Sequence, residues 1–269
     1  MTLLRLPQPY DFELSTERFR AFGPDHANLW HEGGLHRVVG RREVRIEAAE
    51  GGVDVEPLDT ETEPVVRKLL GLEFELGPFY EFAGGDGVLA RIVPRLAGFR
   101  PPLAPDAFES LVTSITAQQV SLFAAFAIRN RLIDRFGEGG EIARGFPTRR
   151  RLASASAEEL LTLGFSRRKA DYVLAVARAE VDLDALSRLR DDEVKASLTS
   201  LRGLGEWTAD WFLARHLARP HAWPAGDLGL RKAVVAFYPE VTDVRAAAAR
   251  FHPFENLTAH YLLLAYRRL

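Results

Sequence analysis

The chain contains no cysteine among its 269 residues. Disulfide bonds are therefore excluded, as are zinc sites and iron–sulfur clusters held by thiolates. The seven histidines show no HExxH spacing, which disfavours a catalytic zinc site of that type. No apolar run approaches the ~18–20 residues of a membrane span, and the first residues lack the pattern of a secretory signal. We expect a cytoplasmic monomer with no membrane partner and no required cofactor.

Net charge is also small, at −2, which taken alone disfavours a nucleic-acid partner. The charges are unevenly distributed, however. Residues 1–98 carry 11 Lys and Arg against 17 Asp and Glu, a net of −6, whereas residues 99–269 carry 24 against 20, a net of +4. The basic second part therefore favours an anionic partner for that part of the chain.

A proline-rich break at residues 98–105, GFRPPLAP, divides the chain into two predicted domains. Residues 1–98 are predicted to form a mixed α/β domain. Its segments LHRVVG and VRIEA alternate between apolar and polar residues as antiparallel strands do, and glycines separate them. A helix is predicted at residues 63–70.

Residues 99–269 are predicted to be almost wholly helical. Good N-cap residues precede several apolar-periodic segments, and Ser156 with Glu159 three positions later is a capping-box pattern. The predicted helix starts are Asp106, Ser121, Ser156, Ser166, Asp191 and Gly205, and a last helix covers residues 254–268. The sequence thus predicts an α+β protein, in which a helical bundle in two subdomains follows the N-terminal domain.

The segment LTSLRGLGEWTADWFLAR contains two glycines, Gly203 and Gly205, between two predicted helices. Glycine allows a sharp turn and a close approach of the backbone to a ligand. The free N–H groups and the dipole of the following helix attract an anion, and the Thr208 hydroxyl can add a donor. An ordinary helix–turn–helix corner with a glycine C-cap has the same local pattern.

A Gly- and Pro-rich loop about 20 residues further on ends in Asp227, at the predicted start of another helix. Aspartate is among the best N-cap residues, and a capping role alone accounts for it locally. A carboxylate at this position can also stabilise developing positive charge or activate a water molecule. Its local residues do not distinguish these roles.

The combination of this glycine turn, its spacing and Asp227 resembles the HhH-GPD superfamily of DNA glycosylases. The N-terminal β-rich domain adds a resemblance to the AlkA-type 3-methyladenine DNA glycosylase II branch. The resemblance implies that Asp227 is the catalytic residue and that Gly203, Gly205 and Thr208 grip a DNA phosphate. It also implies a Na⁺ or K⁺ site on the backbone carbonyls of Thr199, Leu201 and Leu204.

Three aromatic residues match positions that line the base pocket in this branch: Trp207, Trp211 and Phe254. Core packing accounts equally well for Trp211 and Phe254, and less well for Trp207. Trp207 occupies the position of the Schiff-base lysine of bifunctional members, so an enzyme without lyase activity is implied. Gln118 and Gln119 match the loop that enters the minor groove, where Gln119 replaces an apolar wedge.

The resemblance implies a monofunctional enzyme that flips alkylated bases such as 3-methyladenine out of damaged double-stranded DNA and excises them by hydrolysis. Three alternatives remain open at this stage. The first is a related glycosylase for another lesion, and the second is a non-catalytic DNA-binding protein that retains the hairpin. The third is a structural protein that uses the hairpin only as a turn.

Overall fold

The computed structural model describes all 269 residues. A five-stranded antiparallel sheet lies near the N-terminus, with strand order β1-β5-β4-β3-β2. The strands are β1 (Thr2–Arg5), β2 (Leu29–His31), β3 (Gly34–Val39), β4 (Arg42–Ala49) and β5 (Gly52–Glu56).

Thirteen α-helices make up most of the remaining chain. The first five are α1 (Phe12–Thr16), α2 (Thr62–Leu69), α3 (Leu76–Gly84), α4 (Leu89–Ile92) and α5 (Ala107–Ala117). The others are α6 (Leu122–Phe136), α7 (Arg149–Ala153), α8 (Ala157–Thr162), α9 (Arg167–Arg178), α10 (Asp191–Thr199), α11 (Glu206–Arg215), α12 (Leu228–Phe237) and α13 (Glu255–Arg268). None combines the length and apolar character that crossing a membrane requires.

Burial alternates from residue to residue along strands β4 and β5. In β4, Val44 and Ile46 are fully buried while their neighbours are partly exposed, and Ile46 pairs with the buried Val55 of β5. This period of two places one face of the sheet against α2, where Val66 is also buried. The α+β fold class predicted from the sequence is confirmed.

Side-chain caps define most helix starts. The Asp106 and Ser166 side chains accept hydrogen bonds from backbone N–H groups in the first turns of α5 and α9. Ser156 and Glu159 form the predicted capping box of α8. Helix α10 begins at Asp191, as predicted, and Arg190 is its N-cap.

The apolar side chains form three cores. One lies beneath the sheet, and a second lies among α5 to α11. The third joins residues 74–103 to residues 223–265. This last core contains side chains from both sides of the break at residues 98–105, so the division into domains 1–98 and 99–269 stays a prediction.

A buried ionic network links the sheet to the helical part. Glu109 of α5 accepts hydrogen bonds from Arg37 of β3 at 2.6 and 3.2 Å, and from Arg129 of α6 at 2.6 Å. Arg129 is also paired with Asp25. All four side chains are at least nine-tenths buried, so each charge depends on the others for compensation.

Candidate active site

The hairpin at residues 201–205 joins α10 to α11, and its two glycines differ in their surroundings. Gly203 has a φ of +95°, and a Cβ there would collide with the ring of Tyr172. Gly205 is the N-cap of α11 in an extended conformation, and a Cβ there would meet no atom within 4 Å. Gly203 is therefore required by the fold, whereas the space around Gly205 is open to a ligand.

The two glycines allow a matched test. Gly203→Ala should lower both the thermal midpoint and duplex-DNA affinity, because the positive φ and the Tyr172 ring both oppose a side chain. Gly205→Ala should leave the thermal midpoint close to wild type and lower DNA affinity alone. Thermal unfolding and fluorescence anisotropy with a duplex measure both effects. Unchanged DNA affinity in Gly205→Ala would contradict a close backbone approach at this position.

The predicted insertion loop lies against the hairpin. The Gln118 side-chain amide donates a hydrogen bond to the Gly203 carbonyl at 3.0 Å, across 85 residues of sequence. Gln119 is exposed and has a φ of +54°, which is unusual for a residue with a side chain. The structure therefore brings the two predicted DNA-binding segments together at one surface.

A cleft of about 320 Å³ lies at this junction and contains both glutamines and the hairpin residues 203–205. Its other wall comes from the start of α9, where Arg168 is exposed and the Lys169 ammonium donates to the Thr116 carbonyl at 2.8 Å. Three basic residues in the first turn of a helix oppose its dipole. Sequence reasoning missed this pattern, which concentrates positive charge beside the hairpin.

The other predicted hairpin contacts involve the Thr208 side chain and three backbone carbonyl groups. Thr208 is only 1% exposed, so its proposed contact with a phosphate stays a prediction. The Leu201 carbonyl accepts the Leu204 backbone N–H at 3.1 Å. The carbonyls of Thr199 and Leu204 accept no backbone hydrogen bond. These two oxygens have free lone pairs, and hard oxygen donors of this kind suit a monovalent cation.

Asp227 performs two structural tasks with its two carboxylate oxygens. Oδ1 accepts the backbone N–H of Leu230 at 2.9 Å and thereby caps α12. Oδ2 accepts the indole N–H groups of Trp207 at 3.0 Å and Trp211 at 3.1 Å. The capping role foreseen from the sequence is therefore present, and the second oxygen is held in a fixed direction by two donors from α11.

The two tryptophans differ in their accessibility. Trp207 is partly buried, whereas Trp211 is 3% exposed and belongs to the helical core. The Arg215 guanidinium lies 3.5 Å from the centre of the Trp211 ring, and the His260 ring lies 5.8 Å from it. Trp211 thus has no free face in this conformation, and its role as a wall of the base pocket stays a prediction.

Phe254 lies immediately before α13, where its ring contacts Phe79 at 5.8 Å and Phe82 at 5.3 Å between centroids. These contacts belong to the third core. No aromatic contact joins Phe254 to Trp207 or Trp211. Its place in a base pocket likewise stays a prediction.

Two arginines that sequence reasoning missed lie within electrostatic range of Asp227. Burial lowers the pKa of Arg18 to about 10, and it lowers the pKa of Arg215 well below the usual range, while the Asp227 charge opposes both shifts. Arg215 Nε and His260 Nε2 are both buried without hydrogen-bond partners. Positive charge and unused polar atoms therefore surround the Asp227–tryptophan cluster.

The open cleft at the hairpin does not include Asp227, so the two candidate sites are separate in this conformation. Hairpin backbone and long polar side chains form the walls of this open cleft. Asp227 itself is partly exposed, and hydrogen bonds from α11 and α12 engage both of its carboxylate oxygens.

Known proteins share both the family pattern and the fold. A model described as HhH-GPD superfamily base excision DNA repair protein matches residues 112–250. A DNA-3-methyladenine glycosylase of Bacillus subtilis is 29% identical over 173 residues, which are 61% of this chain and only 57% of that protein.

Solved structures extend the similarity to the whole chain. The 3-methyladenine DNA-glycosylase from Archaeoglobus fulgidus is 28% identical with a TM-score of 0.89, and the match covers 100% of this chain and 99% of that chain. The Schizosaccharomyces pombe 3-methyladenine DNA glycosylase in complex with abasic DNA is 26% identical with a TM-score of 0.58, covering 68% and 92%. The resemblance inferred from the hairpin and Asp227 is confirmed. Because the family model matches slightly more than half of the sequence, the chain belongs to the HhH-GPD superfamily of base excision DNA repair proteins.

Proposed function

We propose that the protein is a monofunctional DNA glycosylase that excises alkylated bases, such as 3-methyladenine, from duplex DNA. One observation carries the proposal: Asp227 Oδ2 accepts two indole N–H groups at the end of the loop that follows the hairpin helix. A capping aspartate needs only one oxygen for its cap. The second oxygen is not needed for the cap, and the two tryptophans hold it in a fixed direction, which supports a role in the reaction. The names of the relatives supply the substrate class.

DNA binding is assigned to the cleft and the loop beside it. The α11 N-terminus at Gly205 and the basic residues Arg168 and Lys169 favour a phosphate. Gln119 is followed by three large exposed apolar side chains, Val120 at 40%, Leu122 at 39% and Phe123 at 64% exposure. Apolar side chains can wedge between base steps, so this loop can fill the gap left by a flipped base although Gln119 is polar.

The chemistry assigned to Asp227 is stabilisation of charge. When the C–N bond to the base breaks, positive charge develops on the deoxyribose, and a nearby carboxylate stabilises it. A unit charge about 4 Å away at an effective dielectric of ~20 contributes about 4 kcal/mol. Asp227 also orients the attacking water and accepts its proton. The bond electrons leave with the base, and water oxygen becomes the sugar hydroxyl.

We also propose a monovalent cation, Na⁺ or K⁺, on the carbonyls of Thr199, Leu201 and Leu204. The free lone pairs on two of these carbonyls support it. When bound, the cation would supply positive charge next to the phosphate. The chain's own part is to present the Gly205 side of the hairpin to that phosphate.

A second candidate substrate is an uncharged lesion, and Arg215 favours it. The Arg215 guanidinium already lies over the Trp211 ring and so occupies a face on which a cationic alkylpurine would otherwise stack. Its Nε atom is buried without a partner and can donate to an acceptor on a neutral base. Separate duplexes that contain 7-methylguanine, 1,N6-ethenoadenine or hypoxanthine distinguish the candidates. Release of the charged base supports the first candidate, and release of the neutral bases alone supports the second.

Excision should leave the DNA strand intact. Trp207 cannot form a Schiff base with the sugar, because an indole nitrogen is not a nucleophilic amine. An end-labelled duplex treated with the protein should break only after hot alkali, and borohydride should trap no covalent complex. A trapped adduct would contradict the monofunctional assignment and would identify a lysine or amino terminus as the nucleophile.

A further inference from the structure

Three metal-ligating side chains that the mechanism described above does not use converge at the surface. His221 follows α11 in the loop that leads to Asp227, whereas His252 and Glu255 lie at the start of α13. One ligand atom from each residue lies within 4.8 Å of those from the other two. The cluster therefore joins two segments that are about 30 positions apart in the sequence.

The distances fit a metal coordination sphere. His221 Nδ1 lies 3.2 Å from Glu255 Oε2, and His252 Nδ1 lies 3.2 Å from Glu255 Oε1. Bonds of ~2.0–2.1 Å in a tetrahedron place neighbouring ligand atoms about 3.3 Å apart. The two imidazole rings are stacked with centroids 4.9 Å apart, and both are at least half exposed. Small rotations of these exposed side chains can complete the third edge.

The charges of the cluster also favour a cation. The Glu255 side chain is 8% exposed, and its ion-pair partners are the two histidines alone. A buried carboxylate that contacts only imidazoles, with no Lys or Arg beside it, is unfavourable in a medium of low dielectric. A divalent ion would supply the compensating positive charge.

We propose that His221, His252 and Glu255 form a binding site for a divalent transition-metal ion such as Zn²⁺, with water completing the coordination. Two imidazoles and one carboxylate suit first-row metals of this kind. The site is structural. Asn256 already donates its backbone N–H to the Pro220 carbonyl at 2.9 Å, so the metal would strengthen the attachment of the Asp227 loop to α13.

Tag-free full-length protein, stripped with a chelator, tests the proposal by calorimetric titration with ZnCl₂. We expect about one ion per chain with a Kd of about 10⁻⁶ M or tighter. Loss of a partner that only supports a ligand already lowers metal affinity about 10–100-fold. His221→Ala and His252→Ala should each lower it at least as much. Bound Zn²⁺ should also raise the thermal midpoint of wild type and not of these variants.

The matched control is His31→Ala. His31 is 44% exposed and has Glu32 at 3.7 Å, so it is an accessible histidine beside a single carboxylate. This variant should bind Zn²⁺ as wild type does. The proposal fails if wild type binds no Zn²⁺, in which case the cluster is a set of hydrogen bonds alone. It also fails if His221→Ala and His252→Ala retain wild-type affinity while their circular dichroism shows a folded protein.

Discussion

Replacement of Asp227 by Asn should lower the single-turnover rate of base release by at least ~10²-fold, because the stabilising charge is lost. A contribution of about 4 kcal/mol corresponds to about three decades of rate at most. The structure adds a second effect. If the Asn oxygen keeps the cap on Leu230, its NH₂ group faces the two indole N–H donors, and both lose their acceptor. We therefore also expect a loss of about 1–3 kcal/mol in unfolding free energy.

Asp106→Asn is the matched control for this variant. Asp106 also caps a helix through Oδ1, which accepts the Glu109 backbone N–H at 2.7 Å. The same chemical change there should leave the rate of base release near that of wild type. Duplex binding should be preserved in both variants, since the proposed phosphate contacts lie at the hairpin. Equal losses of rate in the two variants would show that the Asp227 effect is structural.

Glu109→Ala should have the largest effect on stability. The substitution leaves Arg37 buried without a carboxylate partner and Arg129 with Asp25 alone. Removal of one partner from a buried ion pair costs about 3–5 kcal/mol. Guanidinium-chloride unfolding measures the change. Glu158→Ala provides the comparison, because its 2.9 Å pair with Arg167 is exposed on both sides and should barely affect the midpoint.

The pH dependence of this effect follows from the Glu109 pKa. Burial raises that pKa, but the charges of Arg37 and Arg129 lower it further than burial raises it, so it lies below the ordinary 4.5. The carboxylate therefore contributes its full stabilisation above about pH 4.5, and the contribution disappears as the pH falls through the lowered pKa. The stability difference between wild type and Glu109→Gln should shrink on acidification. A difference that grows below that pH would contradict the network.

Local patterns predicted the parts of the fold that depend on neighbouring residues. The alternation in β4 and the caps at Ser156 and Ser166 are present in the structure, whereas β3 is a strand whose residues are all buried. Helices α3 and α4 were not predicted. Neither has a side-chain cap, and α3 contains Gly77 and Pro78, which favour other conformations in isolation. Burial in the third core stabilises them instead.

Long-range proximity was the main limit on prediction of the site. The spacing of the hairpin and Asp227 indicated the carboxylate, but no local pattern showed its hydrogen bonds to Trp207 and Trp211. Arg18 lies about 200 positions away in the sequence, so no local pattern connects it with Asp227. The Arg215 guanidinium lies over the Trp211 ring, a contact that only the packed structure reveals.

Mass spectrometry of the bases released from methylated duplex DNA tests the central claim most directly, with wild type and Asp227→Asn compared in the same experiment. The account predicts free alkylated purine in the wild-type reaction, intact strands, and a yield at least ~10²-fold lower with the variant in the linear phase. Equal release by both proteins would contradict the assignment of Asp227. No release by folded, DNA-binding wild type would contradict excision of alkylated bases itself.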